Sequence, residues 1–261
     1  NVMALVNSEG LDIAALTHEV KLADFGLQES DLRELKRLFE HATTFGSLIQ
    51  VPQSLAANLP ALRRLSETTV GKVESAAGDM FAAGALEVLA PLARQAALPA
   101  ERYDNVAANP PYMGSKGMNG LVKTFAEKSY PAAKSDLFGC FIERSYSITV
   151  SGGRASMVTM EAWMFLSSFE SFRKKLLSNT AIRNLAHFPY DGRSPTAMGI
   201  NFGLAVLSII NASVGGYLGH FCCSRYYELN LDGVPLEFPT SNERLKTTAV
   251  STFKKIPGWP I

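Results

Sequence analysis

Tyr103-Asp104-Asn105-Val106-Ala107-Ala108-Asn109-Pro110-Pro111-Tyr112 reads as a strand that runs into a chemically specialised end. Pro110 and Pro111 fix φ and remove two backbone donors, so the chain stays extended beyond Ala108. The Pro110 carbonyl is left without a ladder partner, and the Asn109 side-chain oxygen lies beside it. Two neighbouring acceptors match the two hydrogens of an exocyclic amine, and Tyr112 offers a face on which a flat heterocycle can stack. The lone pair of an adenine-type amine is delocalised into its ring, which makes it a poor nucleophile. Acceptors pulling on its hydrogens favour a more tetrahedral nitrogen that can attack a cationic methyl donor in line. No strong base is required, because the catalysis is acceptor placement and positioning. Without that chemistry the run is a Pro-Pro turn ending a strand, with Tyr112 as packing; the apolar strand placed directly before it favours the functional reading.

Working outward, strands and helices alternate from Tyr103 onward. Strands are predicted over 103–108, 155–159, 182–188 and 202–210, and helices over 137–149 and 165–177. Gly152-Gly153 reads as a turn, and Arg173, Lys174 and Lys175 fall near the end of the second helix, where they suit its dipole. Such alternation predicts a parallel α/β sheet, whose ligands gather at the carboxyl ends of the strands. Upstream the chain reads as helical. Ser30 and Asp31 are candidate caps for a helix presenting Leu32, Leu35, Leu38 and Phe39. A second stripe holds Leu59, Leu62 and Leu65 with Arg63 and Arg64 on the wet side. Pro91 is expected to kink or restart a third helix, and residues 2–6 to form a short strand. The domain reading is a mainly helical segment 1–102, an α/β catalytic region 103–225 and the start of a further C-terminal region at 226–261.

Bulk properties exclude several classes. A chain of 261 residues buries a full core in one or two domains. A net charge of +1 argues against a uniformly basic nucleic-acid coat but not against a local basic groove. Three cysteines, two of them adjacent (Cys222, Cys223), make no disulfide framework and point to a reducing cytoplasm. The start, Asn1-Val2-Met3-Ala4, has no signal-peptide pattern, and the absence of an initiator Met suggests a fragment. Residues 203–221 are apolar, but Ser208, Asn211, Gly215, Gly216 and Gly219 favour a buried strand and a glycine turn over a membrane span. His220, Cys222 and Cys223 do not complete a zinc set, and His18, His41 and His187 have no partner at ligand spacing, so no metal is expected. Lys116, Lys123, Lys128 and Lys134 flank the Asn-Pro-Pro-Tyr loop and could meet phosphates; a solvated surface explains them equally well.

The chain resembles the adenine-specific, S-adenosylmethionine-dependent DNA methyltransferases with an Asn-Pro-Pro-Tyr motif, and most closely the large PglX methyltransferases of BREX phage-defence systems. The resemblance covers about residues 100–261 and rests on 103–114, Lys134-Ser135-Asp136-Leu137-Phe138, Phe141-Ile142-Glu143-Arg144, 152–168 and Phe253-Lys254-Lys255-Ile256-Pro257-Gly258. It implies an α/β fold: the catalytic half of a Rossmann-like class I methyltransferase, with a helical N-terminal part. Asn109 and Pro110 would accept from the target amine. Tyr112 would stack on the base, Pro111 and Phe202 would line its site, and Asp136 and Phe138 would border the methyl-donor pocket. The implied cofactor is S-adenosylmethionine. The implied partners are double-stranded DNA with a flipped adenine and other defence-system proteins, with no membrane. Two departures stand out. No glycine-rich loop follows an early strand, so that motif is expected upstream of Asn1 and this piece alone is expected to be inactive. Thr159 is followed by Met160 where many relatives carry Pro, which reads as a subfamily trait. The alternatives are a non-catalytic DNA-binding or assembly fragment, or a methyltransferase acting on protein glutamine or RNA guanine.

Overall fold

The structure, a computed structural model, describes residues 4–73, 80–190, 192 and 201–261. The chain divides into two compact units, Asn1–Glu101 and Arg102–Ile261.

The first unit is built from α1 (Ile13–Glu19), α2 (Glu29–Leu38), α3 (Ala42–Phe45), α4 (Gln53–Val73) and α5 (Met80–Ala100). The leucine stripes face inward as expected: Leu32, Leu35, Phe39, Leu62 and Leu65 are fully buried, while Arg63 and Arg64 are exposed. Helix α2 starts one residue before the expected caps. Gln28 stands at the cap, and the Asp31 carboxylate accepts its N–H at 2.8 Å. Pro91 does not end a helix either, since α5 runs through both Pro91 and Pro99. An interior proline costs about 3 kcal/mol or more. Burial of Leu86, Leu89 and Leu92 in α5 contributes about 1.5–3 kcal/mol each, so continuity wins. Gln95, 1% exposed, accepts from the Val6 N–H and donates to the Val6 carbonyl, both at 2.8 Å. Of the strand expected over 2–6, positions 2 and 3 lie outside the described residues and 4–6 form no strand.

The second unit is α/β. Its strands are β1 (Tyr103–Ala108), β2 (Thr149–Met160), β3 (Ala181–Phe188), β4 (Leu204–Ile210), β5 (Leu218–Cys223) and β6 (Leu245–Ala249). Its helices are α6 (Gly120–Ser129), α7 (Leu137–Ser147), α8 (Glu170–Asn179) and α9 (Val250–Phe253). The sheet order is β1-β2-β4-β3-β5-β6. It is mixed rather than parallel: β1/β2 and β3/β5 run parallel, whereas β4 lies antiparallel to both β2 and β3, and β6 to β5. Strand β4 returns after β3 and fills the gap between β2 and β3, a long-range pairing that alternation does not encode. Gly152-Gly153 is no turn; both glycines lie within β2, which is longer than expected. Helix α8 begins only at Glu170, after two short 3₁₀ turns. The 203–221 stretch contains β4, a turn and β5. No helix of the described residues is long and apolar enough to cross a membrane. One sheet face, with Ala155, Met157, Ala205 and Leu207 buried, carries α7, which packs on β1 and β2.

Candidate active site

The parallel pairing of β1 with β2 runs to Ala108 opposite Met157, and the Asn-Pro-Pro-Tyr motif leaves the sheet at that point. Asn109 is exposed, Pro110 buried and Tyr112 half-buried. Among the described residues, no backbone donor takes up the Pro110 carbonyl. The Tyr112 hydroxyl lies 3.3 Å from both Asn109 Oδ1 and the Val158 carbonyl, with one hydrogen to donate between them. Burial pushes the Tyr112 phenol up from its ordinary value, so it remains a neutral donor. Turned towards Asn109, its hydrogen takes one lone pair of the carboxamide oxygen and leaves the other open. An open groove of about 400 Å3 ends at Asn109, lined by Ala107, Ala108, Ser156, Met157, Val158 and Val206.

Phe202, just before β4, meets the Tyr112 ring edge-on, with centroids 5.2 Å apart and planes at 84°. A planar ring held between two faces needs about 7 Å, twice a carbon–carbon contact. Edge-on and 5.2 Å apart, the two rings leave no slot of that width between them. The Tyr112 ring also meets Phe138, with centroids 6.4 Å apart, and Phe138 stacks on Phe169 at 5.4 Å.

Asp136 caps α7 and ties the loop after Tyr112 to it. Its Oδ1 accepts the Phe138 N–H at 3.2 Å and the Met113 N–H at 3.0 Å. Leu137 N–H donates to the Met113 carbonyl at 3.1 Å, and Gly114 bridges to Asp136. Burial raises the Asp136 carboxyl above its ordinary value, with the amides of Met113, Phe138 and Leu137 pulling the other way. The structure thus gives Asp136 and Phe138 a local task, which is to support the motif loop from the N-terminal end of α7. The capping signal was present in the sequence as an Asp directly before an apolar helical run.

Lys116, Lys123, Lys128 and Lys134 are all exposed. Among the described residues no group of three or more His, Cys, Asp or Glu could hold a metal ion. Burial, Glu143 and Asp136 push the Cys140 thiol up to about 12, so it is no nucleophile near neutrality. Two features escaped the sequence. Arg173 is not at a wet helix end but 2% exposed, donating to the carbonyls of Trp163 (2.9 Å), Leu166 (2.6 Å) and Gly258 (3.1 and 2.9 Å). His187, without a partner at ligand spacing, pairs through Nε2 with Glu161. No local signal announces either, because both depend on contacts between distant elements.

With this geometry in place, likeness to known proteins can be stated. Residues 12–193 match the family model of the Eco57I restriction-modification methylases. The adenine-specific methyltransferase BrxX of Escherichia coli O9:H4 (strain HS) is 40% identical over 229 residues, which is 86% of this chain and 18% of that protein. The adenine-specific methyltransferase PglX of Lacticaseibacillus casei (strain Zhang) is 45% identical over 86 residues, 33% of this chain and 7% of that one. The chain therefore spans less than a fifth of the length of these relatives. A crystal structure of the methyltransferase subunit of a type I restriction-modification system from Streptococcus thermophilus superposes with a TM-score of 0.38 and 15% identity, covering 56% of this chain and 36% of that one.

Proposed function

This chain belongs to the Eco57I restriction-modification methylase family, and we propose that it carries the amine-accepting part of a DNA adenine methyltransferase that uses S-adenosylmethionine. The observation that supports this most is Asn109, exposed at the carboxyl end of β1, with the Tyr112 hydroxyl on its carboxamide oxygen. The target is an adenine flipped out of double-stranded DNA, since its amine cannot be reached within the stack. The setting is host DNA marking in a phage-defence or restriction-modification system in the cytoplasm, alongside other proteins of that system.

Asn109 Oδ1 and the Pro110 carbonyl accept the two amine hydrogens and draw the nitrogen towards a tetrahedral shape. Tyr112 stacks on one face of the base and Phe202 closes on the other. Neither acceptor is basic enough to keep the proton that the methylated nitrogen sheds, so it passes to water. The groove beside Asn109 would meet the apolar parts of the methyl donor. It is apolar, it opens at the carboxyl end of β1, and its volume of about 400 Å3 lies in the range of small-molecule sites. Ala107, Ala108 and Met157 would touch the donor there, while Asp136 and Phe138, which do not line this groove, would border the donor outside it. Once bound, S-adenosylmethionine supplies a methyl group on a positively charged sulfur.

The test is methylation-sensitive sequencing of DNA from cells that express the full-length protein as wild type or as Asn109→Ala. Wild type is expected to mark adenine at a fixed sequence. Asn109→Ala is expected to lose about 100- to 1,000-fold in rate, as when one preorganised hydrogen-bonding group is removed from a reacting centre. Its exposure means the fold should survive. Near wild-type methylation by Asn109→Ala would overturn the assignment.

A further inference from the structure

The Glu161–His187 pair takes no part in the amine chemistry, yet it stands at the edge of the site. Glu161 directly follows β2, and His187 is the penultimate residue of β3. Strand β4 lies between them, with Leu204 in register with both Met160 and Phe188, and Ala205 with His187. To reach His187, the Glu161 side chain crosses the residue just before Leu204, which is Gly203. The crossing leaves no room: a Cβ on Gly203 would strike the carboxylate carbon and both its oxygens. The Glu161 N–H also donates to the Gly203 carbonyl at 2.8 Å. His187 Nε2 then fixes the carboxylate, in surroundings that leave the two side chains only 15% and 22% exposed. Gly203 is held at its carbonyl by a main-chain donor and at its Cα by a carboxylate that is itself locked. Space rather than backbone conformation demands glycine here.

Phe202 is bonded to this anchored residue, and its ring lies against Tyr112. We propose that Glu161 and His187 are positioning residues that fix the root of Phe202, so that the ring swings to admit a planar ligand while its Cα stays in place. This inference rests on the reading of Asn109–Tyr112 as the amine site. An aromatic wall contributes stacking only when its attachment point is set; a wandering Cα would spend that contact on ordering itself.

The experiment is steady-state methylation by the full-length protein on DNA carrying the sequence that wild type marks. Glu161→Ala is expected to raise KM for DNA about tenfold, the size of a lost base-stacking contact, with kcat within about twofold. Glu161→Gln, whose amide oxygen still accepts from His187, is expected to restore KM to within about twofold of wild type. Gly203→Ala is expected to reproduce the KM rise by displacing the carboxylate. The double substitution should be no worse than the worse single one, because both act on one contact. An unchanged KM in both Glu161→Ala and Gly203→Ala, or a fall confined to kcat, overturns the positioning role while an inactive Asn109→Ala keeps the amine site standing. Should Asn109→Ala still methylate, the amine site falls and this inference falls with it.

Discussion

The helical unit and the sheet unit fill their interiors with different materials. Among the described residues, the buried polar groups of Asn1–Glu101 are Ser8, Ser66 and Gln95. Those of the sheet unit include four charged side chains, Asp136, Glu143, Arg144 and Arg173. Leucine and alanine fill space by volume and are indifferent to direction. A buried charge is costly unless its donors and acceptors find partners, and Asp136 and Arg173 find theirs in main-chain groups, so these two dictate where neighbouring backbone must be. Asp136 fixes the loop after Tyr112, and Arg173 ties the turns after β2, through the Trp163 and Leu166 carbonyls, to the Gly258 carbonyl. The region that carries the candidate site is therefore the one whose geometry is specified by direction as well as by volume.

If that contrast holds, a substitution that preserves volume and deletes hydrogen bonds should be harmful in one unit only. Arg173→Met leaves the Gly258, Trp163 and Leu166 carbonyls without their donor, and is expected to destabilise the sheet unit by about 3–5 kcal/mol. Both tryptophans of the chain, Trp163 and Trp259, lie in that unit, so urea unfolding followed by their fluorescence reads it selectively. A loss below about 1 kcal/mol would dissolve the contrast.

Asp136 gives an intermediate effect with a pH signature. Asp136→Ala removes the α7 cap and the Met113 tie and is expected to cost about 0.5–2 kcal/mol. Burial raises the folded carboxyl, so its proton is held more tightly folded than unfolded. The resulting stability is fully present below the unfolded value, about pH 4, and is lost as pH rises through the higher folded value. Asp136→Asn has no such charge and is expected to match or exceed wild-type stability at pH 7. At pH 3 the advantage should shrink, as measured by thermal melts at both values.

In the helical unit, Leu35→Met keeps volume and is expected to cost less than about 1.5 kcal/mol, read by far-UV circular dichroism during urea unfolding. The smallest effect concerns Tyr112→Phe. It keeps the ring but loses the long hydroxyl contacts to Asn109 and Val158, and is expected to lower kcat/KM by about 0.5–1.5 kcal/mol. Tyr112→Ala in the same assay should lose about 1–3 kcal/mol through stacking. Equal losses would mean that orienting Asn109 outweighs the ring face.

The same division governs what was legible in the sequence. Leu32, Leu35, Leu62 and Leu65 announce buried helix faces because a helix is a local object with its period written in neighbours. The motif at the end of β1 was legible because prolines constrain the backbone wherever they fall. Strand β4 was recognised as a strand but not as the antiparallel member between β2 and β3, since alternation marks a strand and not its partner. Pro91 shows the opposite case: the helix does not restart there, because burial along both halves keeps α5 continuous. The contacts of Glu161, His187 and Arg173 were invisible because each joins residues brought together only by that strand order or by the packing of the turns after β2.

If the proposed base site lies between Tyr112 and Phe202, their edge-on contact makes the resting site its own competitor. An edge-to-face aromatic pair is worth about 0.5–1.5 kcal/mol beyond its buried area, and any flat molecule must first displace it. For a free nucleobase, which has little but stacking to offer, that toll weakens apparent affinity by roughly two- to tenfold. A base presented on a duplex brings phosphate contacts that offset it. On that proposed reading, selectivity against abundant small heterocycles would come from two rings in contact, before any group that reads sequence is involved.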